Sequence, residues 1–182
     1  MSDIRMDKKF NLKALIFMAI CCDMGIVAKK LISPGAKIIT EYLHIPGGIS
    51  TTVSLMFIVI GACLCGFFGS ATLMCLVQSV IALTMGNTGS LGMLVIISYL
   101  VPGIVTDVLL YLWRLFPLKH NLVEIALTNA LAGVSAALCS NILTFRLGGA
   151  LLWLYLAVAF VTGIIFGSLA FILVNRLKRI IK

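Results

Sequence analysis

The charged residues of this chain stand almost entirely at the ends of six long apolar runs, near Leu12–Leu31, Thr51–Phe68, Ser70–Met85, Leu91–Trp113, Leu122–Phe145 and Gly149–Asn175. The hydrocarbon core of a bilayer needs about 20 apolar residues per helix, which is the size of these segments. A soluble core of 182 residues could not bury a sequence that is 62% hydrophobic and 11% charged, where an ordinary soluble domain is roughly half apolar and a quarter charged. Lipid satisfies no backbone polar group, so the choice lies between helices and a closed barrel. Apolar runs without period-2 alternation exclude the barrel. The expected fold is an all-α integral membrane protein, a single six-transmembrane-helix bundle over residues 1–182 with no soluble domain. The first run is too long, and carries Asp23, to be a cleavable signal peptide.

Orientation follows from the Lys and Arg residues that flank the runs. With the N-terminus inside, the inner segments hold ten of them: Arg5, Lys8, Lys9, Lys13, Arg114, Lys119, Arg176, Lys178, Arg179 and Lys182. The outer segments hold four: Lys29, Lys30, Lys37 and Arg146, so the basic first outer connection runs against the trend. The expectation is a cell-membrane protein with both termini cytoplasmic. The net charge of +8 then reflects topology, with anionic headgroups of the lipid bilayer as its partner. No basic groups gather on a soluble face, which excludes nucleic-acid binding.

Small residues recur at four-residue spacing: Ala159, Gly163 and Gly167 in the sixth run, and Ala126 with Ala130 and Ala132 with Ala136 in the fifth. Such stripes let helix backbones approach one another closely. Cys21, Cys22, Cys63, Cys65, Cys75 and Cys139 all fall inside runs without CxxC spacing, so they read as small packing residues, with no metal or cofactor expected. Neither GxSxG, HExxH, a P-loop nor GxGxxG is present, and the chain is not expected to be an enzyme.

Polar residues inside a membrane are expensive and mark function by default. The informative ones are Asp23, Gln78, Asp107, Glu124, Asn129 and Asn141, with Asn87, Tyr99, Trp153 and Tyr155 near the interfaces. In the expected orientation Gln78 lies mid-bilayer, and Asn87, Tyr99, Asn141 and Trp153 lie toward the outer side. These groups suit one small ligand held between helices. Asp107 and Glu124 lie nearer the inner face; Asp107 is either part of a buried structural network or a functional group, and Glu124 is a helix-start residue. His44, in the first outer connection, is a candidate to touch a ligand or to ligate haem iron, or is a solvated loop residue. That connection, Ile32–Ser50, has turn signals at Pro34 and Pro46 around an amphipathic stretch, and is either a lid or a passive connector.

Six helices in a chain of 182 residues, a long first outer connection and no ATP-binding region resemble the substrate-binding S component of an energy-coupling factor (ECF) transporter. The stretch Gln78–Tyr111, QSVIALTMGNTGSLGMLVIISYLVPGIVTDVLLY, is similar to S components assigned to hydroxymethylpyrimidine or thiamine-related uptake. There a polar residue precedes a Gly-Asn/Ser-x-x-Gly turn and a Gly-x-x-x-acid follows, positions held here by Gln78, Gly86, Asn87, Gly89, Gly103 and Asp107. The resemblance implies a subunit that captures a vitamin or other micronutrient, thiamine-precursor-like or haem, at the outer face. It would deliver the ligand inward by toppling against a transmembrane coupling protein driven by two ATPases. The candidate substrate-binding set is Gln78, Asn87, Tyr99, Asp107, Asn141, Trp153 and His44. The family docks through an Ala-x-x-x-Ala face on its first helix. This chain departs from it, with Met18 four residues after Ala14 and Ala19 the next small residue, about 140° away on a straight helix. Ala14 and Ala19 are the candidate docking residues. A gradient-driven secondary transporter or channel, and a membrane enzyme or accessory protein, are the alternative readings.

Overall fold

The structure, a computed structural model, describes residues 12–42, 49–85, 89–115, 121–145 and 148–181. Every secondary-structure element among them is helical. Six α-helices follow in order: α1 (Leu12–Tyr42), α2 (Ile49–Cys65), α3 (Ser70–Thr84), α4 (Val95–Leu115), α5 (Asn121–Ser140) and α6 (Ala150–Ile181). A 3-10 segment, Gly89–Leu94, leads into α4, and α5 ends in a π-helical turn, Asn141–Phe145. The 3-10 segment breaks at Gly92, whose φ of 50° and ψ of −126° suit a residue without a Cβ.

Helix α2 is the axis of the bundle and packs against each of the other five. Its sequence, ISTTVSLMFIVIGACLC, is apolar on every side, the signature of a helix enclosed by others. Val53, Leu55, Ile58, Val59, Ile60 and Ala62 are all buried. The outer faces of the surrounding helices are apolar as well: Leu31, Met93 and Trp153 are 74%, 81% and 75% exposed. Among the largest fully buried side chains, by contrast, are Gln78, Asn129, Thr52, Thr106, Thr128 and Asp107.

Among the described residues, three helical segments are long and apolar enough to cross a membrane: Gly92–Leu115, Leu122–Thr144 and Ala150–Arg179. Ser50–Cys65 and Ser70–Thr84 are apolar but shorter. Helix α1 is long enough but carries Lys13, Asp23, Lys29, Lys30, Lys37 and Glu41.

One boundary differs from the sequence expectation. The connection expected from Ile32 is helix as far as Tyr42, with Pro34 inside it. Proline removes one N–H, which would have bonded the carbonyl of Lys30. Lys30 and Pro34 are both exposed, and the helix continues past the missing bond. Pro46 lies outside the described residues.

The Ala126–Ala130 stripe of α5 faces Gly163 and Gly167 of α6, whereas Ala132 and Ala136 turn into the core with Leu55 and Ile58. A Cβ on Gly163 would stand 2.5 Å from the Cα of Ala130, and one on Gly167 2.6 Å from the Cα of Ala126. Both distances are shorter than real side chains tolerate, so glycine is required for this approach. The Asn129 amide donates to the Gly163 carbonyl at 2.9 Å and fixes the register of the pair. Gly163→Val is expected to destabilise the bundle by about 1–3 kcal/mol through overpacking, read as a lowered melting temperature in detergent. Gly35→Ala, where an added Cβ meets nothing within 4 Å, should leave the melting temperature unchanged or slightly raised.

Candidate functional site

Five helices bring polar side chains to one end of the bundle. The C-terminal half of α1, the N-terminal half of α2, the C-terminal half of α3, the start of α4 and the end of α5 enclose a cavity there. It has two lobes that share Lys29, Ser54, Gln78 and Tyr99. The polar lobe, about 190 Å³, adds Lys30, Ser33 and Met85. The deeper lobe, about 260 Å³, is lined by Leu55, Ile58, Val95, Pro102 and Ala136, with Ser98 and Ser140 on its wall.

Gln78 forms the floor between them and ties three helices together. Its Oε1 accepts from Ser54 Oγ at 3.1 Å, and its Nε2 donates to the Cys22 carbonyl at 3.2 Å. Gly25 makes room for this amide, since a Cβ there would lie 2.8 Å from Gln78 Nε2. The two bonds leave Gln78 one N–H and one lone pair for a further partner. Opposite, Lys29 Nζ donates to Tyr99 Oη at 2.7 Å and stands 4.8 Å from the centre of that ring. Ser98 Oγ is shielded from solvent and has no hydrogen-bond partner. Pro102 also has no N–H to give the Ser98 carbonyl one turn earlier.

Of the residues singled out in the sequence, Gln78 and Tyr99 line this cavity. Asn141 is buried in the π-helical turn, directly after Ser140 of the cavity wall. Trp153 is turned outward on α6, away from the lining. Asn87 and His44 lie outside the described residues. Asp107 lies toward the opposite end of the bundle. Its carboxylate accepts from the Ala71 amide at 3.1 Å, the Thr72 amide at 2.8 Å and the Thr72 hydroxyl at 2.6 Å. The residue before α3 is Gly69, at φ 93°, and it makes no side-chain cap. Asp107 therefore reaches across from α4 to satisfy the orphan N–H groups at the start of α3. An anion there also suits the helix dipole. The candidate docking pair does not share a face: Ala14 packs on the core and its carbonyl accepts from Cys65 Sγ at 3.6 Å, whereas Ala19 is exposed.

The sequence reading passed over Lys29, Lys30, Ser54 and Ser98. The two lysines did leave a signal, as positive charges that run against the expected inside excess. The two serines left none, because serine is common in packed helices.

No protein-family model, curated protein or solved structure matches the chain.

Asp107→Ala should cost about 1.5–3 kcal/mol, the range for a hydrogen bond to a charged group. Thermal unfolding would read the loss, and hydrogen exchange would show faster exchange at the Ala71 and Thr72 amides. A ligand in the cavity should bind this variant with unchanged affinity, and a tenfold weaker affinity would place Asp107 in the site.

Proposed function

We propose that this chain is a six-span, multi-pass membrane protein of the cell membrane that acts as the substrate-binding subunit of an ECF-type importer. The observation that carries the reading is the amphipathic cavity at one end of the bundle, enclosed by five helices and floored by the Gln78 amide. A bundle with apolar outer faces and buried amides, hydroxyls and a carboxylate suits a hydrocarbon surrounding rather than water. Helix α2, at 17 residues, rises only about 25 Å. Because the other helices enclose it, its ends need not reach the headgroups.

With both termini cytoplasmic, the cavity opens toward the outer side, where an importer collects its ligand. Its two lobes, about 190 and 260 Å³, together stand at the low end of the roughly 300–1,000 Å³ of pockets for drug-sized molecules. That favours a single vitamin-sized ring system over a porphyrin as large as haem. Among the described side chains the lining holds no histidine and no carboxylate to act as a general base, which favours binding over catalysis. Energy for uptake would come from a coupling protein with two ATPases, reached through a face of α1 that includes Ala14 or Ala19.

Native mass spectrometry of the detergent-purified chain is expected to show one small molecule retained per copy. Gln78→Leu should lower its affinity about tenfold, for the loss of roughly 1.4 kcal/mol of polar contact. Trp153→Ala, on the outer surface, should leave affinity within about twofold. Unchanged affinity in the Gln78 variant would move the site elsewhere, and turnover of the ligand by the isolated chain would favour an enzyme.

A further inference from the structure

The cavity is rich in donors and cations, and none of its described lining side chains carries the opposite charge. Lys29 borders both lobes and Lys30 borders the polar one, while no Asp or Glu lines either lobe among the described side chains. Among the described acidic side chains, Asp23 is on the exposed side of α1, Asp107 is bonded to the start of α3, and Glu124 is buried in the first turn of α5. Lys29 is held by a neutral phenol rather than a carboxylate, and that one bond leaves two of its N–H groups unused. Tyr99 accepts in that bond, so its own O–H can still be donated.

From this arrangement we infer that the ligand is a small water-soluble organic anion, its carboxylate seated at Lys29 and Lys30 and its apolar body in the deeper lobe. The inference rests on reading the cavity as the ligand site, and adds the class of ligand. An acceptor-rich group beside the two ammoniums and the Tyr99 hydroxyl answers their unused donors. A cationic ligand would meet Lys29 at close range with no anion to offset it, and a neutral one would leave the lysine without a counter-charge in a low-dielectric setting. The deeper lobe, with Leu55, Ile58, Val95, Pro102 and Ala136 on its wall, then takes a compact apolar body. Lobes of about 190 and 260 Å³ suit a free solute rather than the two chains of a phospholipid whose phosphate could also sit on the lysines.

The test offers the detergent-purified full chain an equimolar panel of nicotinate, biotin, pantothenate and orotate together with nicotinamide, pyridoxine and thiamine. Native mass spectrometry reads which are retained, and thermal unfolding confirms that each variant is folded. Retention of one or more of the acids over the neutral and cationic probes is expected. Lys29→Gln, whose amide can still donate to Tyr99, should weaken that retention about tenfold or more. Lys29→Arg should keep it within about threefold. Should Lys29→Gln fail to fold, Tyr99→Phe serves instead, keeping the ring beneath the ammonium while removing the hydroxyl; a weaker retention of the acid is expected there too. Preferential retention of thiamine, pyridoxine or nicotinamide, weakened by Gln78→Leu, would overturn the anion while leaving the binding-subunit reading standing. Recovery of a phospholipid that no probe displaces would overturn the free solute as the source of the anion. Retention of no probe of any charge would overturn both.

Discussion

A short series of side-chain hydrogen bonds links the helices of this bundle one to the next, and the positions of all six depend on it. Cys65 on α2 donates to the Ala14 carbonyl of α1, and Gln78 on α3 joins Ser54 of α2 to the Cys22 carbonyl of α1. Asp107 on α4 caps α3, the Trp113 indole of α4 donates to the Thr128 hydroxyl of α5 at 3.0 Å, and Asn129 on α5 bonds the Gly163 carbonyl of α6. Apolar side chains attract without direction, so they bring such helices together but do not choose their register. Interhelical hydrogen bonds are directional. Each is worth only about 0.6 kcal/mol on average between transmembrane helices, which is enough to choose among registers that apolar contact leaves nearly equal.

These bonds also divide the bundle into two ends with different tasks. At one end Asp107 spends its charge on backbone N–H groups that α3 would otherwise leave unpaired, and Thr72 reinforces it. At the other, Pro102 interrupts the hydrogen-bond ladder of α4 behind Ser98, and Gly25 clears the space over Gln78. The first arrangement saturates its polar groups and is closed. The second leaves donors on Lys29 and Tyr99 facing a cavity. Unused donors in an enclosed space are what a binding site needs before its ligand arrives.

Much of the fold was legible because helix length and apolar content are local properties. The starts of the second, third and fifth runs lie within two residues of α2, α3 and α5, and the Ala126–Ala130 stripe of α5 packs against Gly163 and Gly167 of α6. The end of α1 was not legible, since Pro34 reads as a turn when its surroundings are unknown. For the site, Gln78 and Tyr99 could be found because an amide and a phenol inside apolar runs are rare. Trp153 shares that rarity, yet its helix turns it outward, and a single helix does not say which of its faces meets a neighbour.

The sequence by itself determined an all-helical chain of long apolar segments, with charges at their ends and a handful of polar residues that had to find partners. Those follow from composition and spacing along the chain, where each residue acts on its own surroundings. Only the tertiary structure decided which partner each polar residue took. It paired Asp107 with the start of α3 rather than a ligand, and placed Lys29 over Tyr99, a residue 70 positions away. Those pairings depend on how helices rotate and cross, and that is set by the close approach of small residues and by a few directional bonds that no local pattern encodes.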